Sequence, residues 1–146
     1  MKKLFLVMLC ASLINCGNDD DTVDCSLVLP PPSNMIIKLV DGDGNSLIGT
    51  TFVQDSFKLS NPTSTTYIRP YTSGAQDELV IYYDNIDSDA TYFLELSSED
   101  SDTLVVGHST VVGDCFSFKT LDSFLYNNET LFDGSSNSDF FIITKE

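Results

Sequence analysis

Eight short runs enriched in apolar and β-branched residues recur across the C-terminal three quarters of the chain, at 35–40, 51–59, 65–69, 78–83, 91–97, 103–112, 115–121 and 140–145. Asp-Gly, Asn-Pro, Ser-Gly and Gly-Asp pairs punctuate them, and each pair favours a turn for a local backbone reason. The run 91–97 alternates Tyr92, Leu94 and Leu96 with Phe93, Glu95 and Ser97, the period of two expected of a strand with one buried face. A sustained helical period is missing; the best candidate, 121–131, is interrupted by Asn127-Asn128. The expectation is therefore an all-β, antiparallel β-sandwich whose interior is filled by ten phenylalanines and six tyrosines without a tryptophan, each sheet keeping one face in water.

The N-terminal part reads differently. Met1-Lys2-Lys3 is a short basic segment, and the apolar run from Leu4 to Ile14 has the length of a signal-peptide core rather than of a bilayer span. Directly after it, Leu13-Ile14-Asn15-Cys16 resembles the lipobox of bacterial lipoproteins. Asn15 stands where glycine, alanine or serine is usual, as in the looser form found among Bacteroidetes lipoproteins. The resemblance implies that residues 1–15 are a removable signal peptide and that Cys16 is lipidated on its thiol and becomes the mature N-terminus. Its acyl chains would then hold the protein to the membrane. The alternative is a plain secretory leader with Cys16 as an ordinary thiol.

The following Gly17-Asn18-Asp19-Asp20-Asp21 resembles the acidic signal that sends some Bacteroidetes lipoproteins to the outside of the outer membrane. It can equally be a solvated acidic tether, extended by charge repulsion. Residues 16–34 are read as a lipidated tether ending in the stiff Pro30-Pro31-Pro32, and 35–146 as a single β-sandwich domain. Outer-membrane attachment with cell-surface exposure is expected, with a periplasm-facing position as the alternative.

Removing the leader takes Lys2 and Lys3 and leaves five basic against 22 acidic residues, a net charge near −17. Nucleic acid is excluded as a partner on this ground, because phosphate neutralisation needs clustered cations and only Arg69 and four scattered lysines remain. Docking on anionic lipid is disfavoured for the same reason. Of the four cysteines, Cys10 leaves with the leader and Cys16 takes the lipid. Cys25 and Cys115 remain as a pair in an oxidising compartment, to be read as a disulfide or as two buried thiols. A metal at this pair is disfavoured, since neither cysteine has a second ligand at C-x-x-C spacing.

The stretch Asp41-Gly42-Asp43-Gly44-Asn45-Ser46-Leu47-Ile48-Gly49 resembles the opening hairpin of carboxypeptidase-regulatory-like, or prealbumin-like, β-sandwich domains. Asp41, Gly44, Leu47 and Gly49 fit that pattern, whereas Ser46 replaces the proline common before the leucine. The resemblance covers about 20 residues and implies a non-catalytic module, so that the sandwich is expected to be immunoglobulin-like or prealbumin-like. Asp41, Asp43 and Asn45 also have the alternate oxygen spacing that begins a calcium loop. Ser46 and Phe52 occupy the positions where an EF-hand loop needs glycine and glutamate, and a hairpin turn is the simpler reading.

Catalytic signals are sparse. His108 is the sole imidazole, and its neighbour Ser109 would project to the other face of an extended strand. The carboxylates of Asp84, Asp87, Asp89 and the 99–102 cluster share the alternative of a calcium site, with solvated loops as the simpler reading. Asp21-Thr22-Val23 and Asp102-Thr103-Leu104 resemble the O-glycosylation motif of Bacteroidetes, marking Thr22 and Thr103 as candidate acceptors. Tyr82-Tyr83 and Tyr67 with Tyr71 are weighed as a stacking surface for glycans against core or cross-strand pairs.

The function expected is a non-enzymatic binding or structural lipoprotein without a cofactor, held to the membrane by its lipid and meeting protein or glycan at the envelope. The alternatives are a small carbohydrate-directed enzyme using paired carboxylates and an inhibitor or accessory subunit of an envelope complex.

Overall fold

Nine strands form in the computed structural model, which describes residues 24–71, 77–135 and 138–145. The leader, the lipobox with Cys16, the acidic run and Thr22 lie outside the described residues. In chain order the strands are β1 (Asn34–Val40), β2 (Phe57–Ser60), β3 (Thr65–Ile68), β4 (Glu78–Tyr82), β5 (Thr91–Glu95), β6 (Ser101–Val112), β7 (Ser117–Tyr126), β8 (Glu129–Phe132) and β9 (Phe140–Thr144). Short 3-10 turns occupy Cys25–Leu27 and Tyr83–Asn85.

The strands divide into a three-stranded sheet, ordered β4-β1-β9, and a six-stranded sheet, ordered β3-β2-β5-β6-β7-β8. Both sheets are built by the expected alternation. Met35, Ile37 and Leu39 on β1 are wholly buried, as are Leu79 on β4 and Leu94 on β5, while the intervening side chains turn outward. The two inward faces share one apolar core, and burying each large side chain there contributes about 1.5–3 kcal/mol. The fold is thus the expected all-β sandwich, with one departure from antiparallel pairing: β1 and β9 run parallel, Ile36 opposite Phe140 and Val40 opposite Thr144. A parallel pair needs a long connection, and here that connection is most of the chain.

Segment 121–131 is a hairpin. Tyr126 pairs with Glu129 across Asn127 and Asn128, whose φ values of 49° and 68° are those of the two-residue turn that matches strand twist. Its helix-like spacing comes from a bulge. His108 pairs with Leu121 and Gly107 with Ser123, so Asp122 is the extra residue. The bulge brings both Leu121 and Phe124 into the core, and an i, i+3 pattern on a strand results. Glycine is required at 107, where a Cβ would press on the Ser123 hydroxyl and come within 2.8 Å of Asp89 Oδ1.

The run expected at 51–59 shortens to β2. Gly49, at φ 81°, allows a tight turn in which Leu47 O accepts from the amides of both Thr51 and Phe52, so the extended strand starts only at Phe57.

Cys25 and Cys115 form a disulfide with Cα atoms 5.3 Å apart. Cys115 lies in the β6–β7 connection, and the arm carrying Cys25 is fastened again at its far end. There Ser33 O accepts from Tyr83 N and Ser33 Oγ from Lys119 N. The covalent loop spans 90 residues, which in the chain-entropy account stabilises the fold by up to roughly 4–5 kcal/mol.

Candidate functional site

One exposed arrangement of chemically useful side chains lies where the chain passes from one sheet to the other. β3 is an edge of the six-stranded sheet and β4 an edge of the three-stranded sheet. Asn61 Oδ1 accepts from the amides of Thr63 and Ser64 and turns the chain into β3, whose Thr-Thr-Tyr-Ile sequence suits a half-buried strand. Beyond Ile68 the chain crosses through Arg69, Pro70 and Tyr71. Pro70 pairs with Leu79, and Tyr71 N donates to Glu78 O at 2.9 Å. Proline is tolerated here because an edge position does not need its amide hydrogen.

Period-two alternation sends Ile68 into the core and turns Tyr67, Arg69 and Tyr71 outward. Tyr82, the last residue of β4, joins them. They border a groove of about 460 Å³ floored by the buried Leu59, Ile68, Ile81 and Ile86. Tyr67, Tyr82 and Tyr71 are 66%, 52% and 45% exposed, so their rings keep surface for stacking while the groove has the size of a small-ligand site. Thr66 and Asn85 also line it and supply a hydroxyl and an amide. Among the described residues no carboxylate lines it.

The pair Tyr82-Tyr83 is split by the same alternation. Tyr83 is buried and stacks on His108, with ring centroids 5.7 Å apart. Its hydroxyl donates to Asp139 Oδ1 at 3.3 Å, and burial, reinforced by that carboxylate, pushes its pKa above the ordinary phenol value. His108 Nε2 lies 3.2 Å from Ile86 O, and its amide donates to Ser88 Oγ. Ser109 instead donates to Asp122 Oδ1. The imidazole and the adjacent hydroxyl thus serve separate structural contacts.

A larger depression of about 630 Å³ between β7, β8 and the arm includes Tyr83, Lys119 and Asp139. Its polar groups answer one another: Lys119 Nζ donates to Tyr83 O at 2.9 Å and pairs with Asp84 at 3.2 Å.

Within the acidic cluster 99–102 Asp102 is closed off from solvent, whereas Glu99 stays exposed. Asp102 is the one buried charged residue among those described. It accepts from the Tyr126 hydroxyl, from Lys145 Nζ and, at 2.8 Å, from Asn127 Nδ2, while Lys145 also reaches Asp100 at 2.9 Å. Burial alone would raise the Asp102 pKa, but the hydrogen bonds from Asn127, Lys145 and Tyr126 outweigh it and hold the carboxyl below the ordinary value of 3.8. Tyr126 is pushed well above the usual phenol range by burial and by the Asp102 carboxylate.

Asp41, Asp43 and Asn45 lie together in the turn after β1. The Asp41 carboxylate accepts from the Asp43 and Asn45 amides at 2.9 and 2.8 Å and from Asn45 Nδ2. The Asn45 side-chain and backbone bonds lower the Asp41 pKa. This is the bonding of a turn in which the first carboxylate caps the loop. Among the described residues no group of three or more His, Cys, Asp or Glu side chains is placed to hold a metal ion. Thr103 stands at the third position of β6, half-buried, with its hydroxyl 3.3 Å from Asn127 Oδ1.

The part of Arg69 in the groove and the Asp102–Lys145 network have no counterpart in the sequence reading. For Arg69 a signal existed in the alternation Tyr67-x-Arg69-x-Tyr71, which sets one cation between two rings on one strand face. Compared with known protein families, curated proteins and solved structures, the chain matches none.

Proposed function

We propose that this chain is a lipid-anchored, non-enzymatic binding module of the cell envelope, and that the groove bordered by Tyr67, Arg69, Tyr71 and Tyr82 is its binding site. The observation that carries this reading is the convergence of three exposed phenol rings and one guanidinium around a concave surface. Rigid aromatic side chains flanked by a few polar groups are what recognition of a sugar or peptide requires. Asp100 and Asp102, a neighbouring carboxylate pair, are both bound to the Lys145 ammonium, which supports binding rather than hydrolysis at that pair.

The anchor follows from the leader and Cys16. The disulfide at Cys25 brings the arm back to the domain nine residues after that cysteine, and this supports a body held close to the membrane. A Cys16→Ser chain is expected in the soluble fraction while the parent sediments with membranes, and protease added to intact cells is expected to digest the domain. Turnover of any substrate that is abolished by changing a single acidic residue would overturn the non-enzymatic reading.

An accessory role in an envelope complex is favoured by a different surface. Phe140 and Ile142 on the edge strand β9 are 41% and 62% exposed, beside Ile36 and Lys38 of β1. An apolar sheet face of this kind suits a protein partner. Stoichiometric co-purification that is lost in Ile142→Asp would support that role.

A further inference from the structure

We infer that the groove takes a sugar bearing a carboxylate and that Arg69 is the residue that recognises the charge. The inference rests on the reading of the groove as the binding site and adds the class of ligand. It starts from the disposition of cations. Lys38 pairs with Asp77 at 2.6 Å, Lys58 with Glu95 at 2.6 Å, Lys119 with Asp84 at 3.2 Å and Lys145 with Asp100 at 2.9 Å. Arg69 is the fifth cation and, among the described residues, has no acidic partner.

In a chain with 22 carboxylates such isolation is informative, and the surroundings reinforce it. Three other depressions contain Asp139, or Asp100 with Asp102 and Glu129, or Glu95 with Glu99 and Asp100. The Arg69 groove contains none among the described residues. One planar, permanently charged donor therefore borders a concave surface that no described carboxylate lines. A guanidinium binds a carboxylate through two parallel N–H···O bonds, a geometry that an ammonium cannot reproduce.

The rest of the groove describes what carries the carboxylate. Tyr67 and Tyr82 offer ring faces to the C–H face of a pyranose, and their hydroxyls, with that of Thr66 and the Asn85 amide, match a ligand rich in hydroxyl groups. The strong net charge of the domain repels anions at long range, but at physiological ionic strength this field is screened beyond about 8 Å. A contact at hydrogen-bonding distance from Arg69 lies inside that range.

The test is a titration of the full-length protein in detergent with digalacturonic acid and with its methyl diester, which keeps the rings and removes the charge. Tyrosine fluorescence is the readout, undisturbed by tryptophan. Binding of the acid at least about tenfold tighter than the diester is expected. Arg69→Gln should abolish that preference, Arg69→Lys should restore part of it, and Tyr82→Ala should weaken acid and diester alike. An unchanged thermal midpoint in each variant confirms that the fold is intact.

Equal binding of acid and diester, or a preference that survives Arg69→Gln, would overturn the assignment of the carboxylate while leaving the groove as a sugar site. An acidic peptide such as hexaglutamate binding as tightly as the sugar would overturn the ligand class. Binding of neither sugar overturns both the inference and the groove reading.

Discussion

Asp102 is met by an ammonium, whereas Arg69 meets no acidic side chain among the described residues. Asp102 is buried and meets Lys145, Asn127 and Tyr126; Arg69 stands in the open between tyrosine rings with a groove beside it. The cost of an error differs accordingly. A buried carboxylate without its cation keeps its desolvation penalty, while an exposed guanidinium is solvated by water and loses little when it is alone. The closed cluster is therefore suited to stability, the open groove is the one we propose for recognition, and experiments can separate the two.

The largest effect should come from the staple that serves neither region directly. Reducing the Cys25–Cys115 disulfide, or replacing both cysteines by serine, is expected to lower unfolding stability in urea by up to roughly 4–5 kcal/mol. Sugar binding by the fraction still folded should not change, because β3 and β4 lie outside the arm. A loss of binding in the folded reduced protein would break the separation.

Next comes Lys145→Met, which leaves Asp102 buried without its ammonium and should cost about 3 kcal/mol. Arg69→Gln should change stability by less than about 0.5 kcal/mol. Equal costs in the two variants would show that Arg69 is a structural cation after all.

Acid should act on the closed cluster and spare the open one. The folded pKa of Asp102 is depressed, so on acidification the unfolded chain binds its proton first. Its contribution to stability is complete above the ordinary value of 3.8 and is lost as pH falls through the lower folded value. Asp41, held down by Asn45, and Asp77, held down by Lys38, add the same dependence in the same window. Equilibrium unfolding between pH 5 and about 2 should be steeper for the parent than for Asp102→Asn. If the two curves run parallel, the hydrogen bonds to Asp102 do not outweigh its burial.

Smallest of all should be Tyr67→Ala. The ring is two-thirds exposed, so a stability change within about 0.5 kcal/mol is expected, together with weaker ligand binding.

Much of this contrast could be read in part from the chain itself. Alternation of Tyr92, Leu94 and Leu96 with Phe93, Glu95 and Ser97 places the inward face of β5 correctly, because side chains on a strand alternate whatever the strand pairs with. The same rule misleads at 121–131, where bulges shift the phase and a hairpin imitates a helical repeat. It also separates Tyr82 from Tyr83, adjacent in sequence but on opposite sides of the backbone. The aromatic groove was half legible: Tyr67, Tyr71 and Tyr82 stand out as candidates, but Tyr83 does not belong with them and Arg69 does.

What the sequence determined by itself is therefore local: strands from period-two alternation, turns from asparagine and glycine, and a cysteine pair available for a disulfide. What the tertiary structure decided is which charges meet. Lys58 finds Glu95 across neighbouring strands, and Lys145, at the end of the chain, finds Asp100 and Asp102 more than 40 residues back. Ion pairs are made by side-chain tips a few ångströms apart, so their partners depend on strand order and register rather than on spacing along the chain. The isolation of Arg69 becomes visible only once the four lysines among the described residues have found their partners.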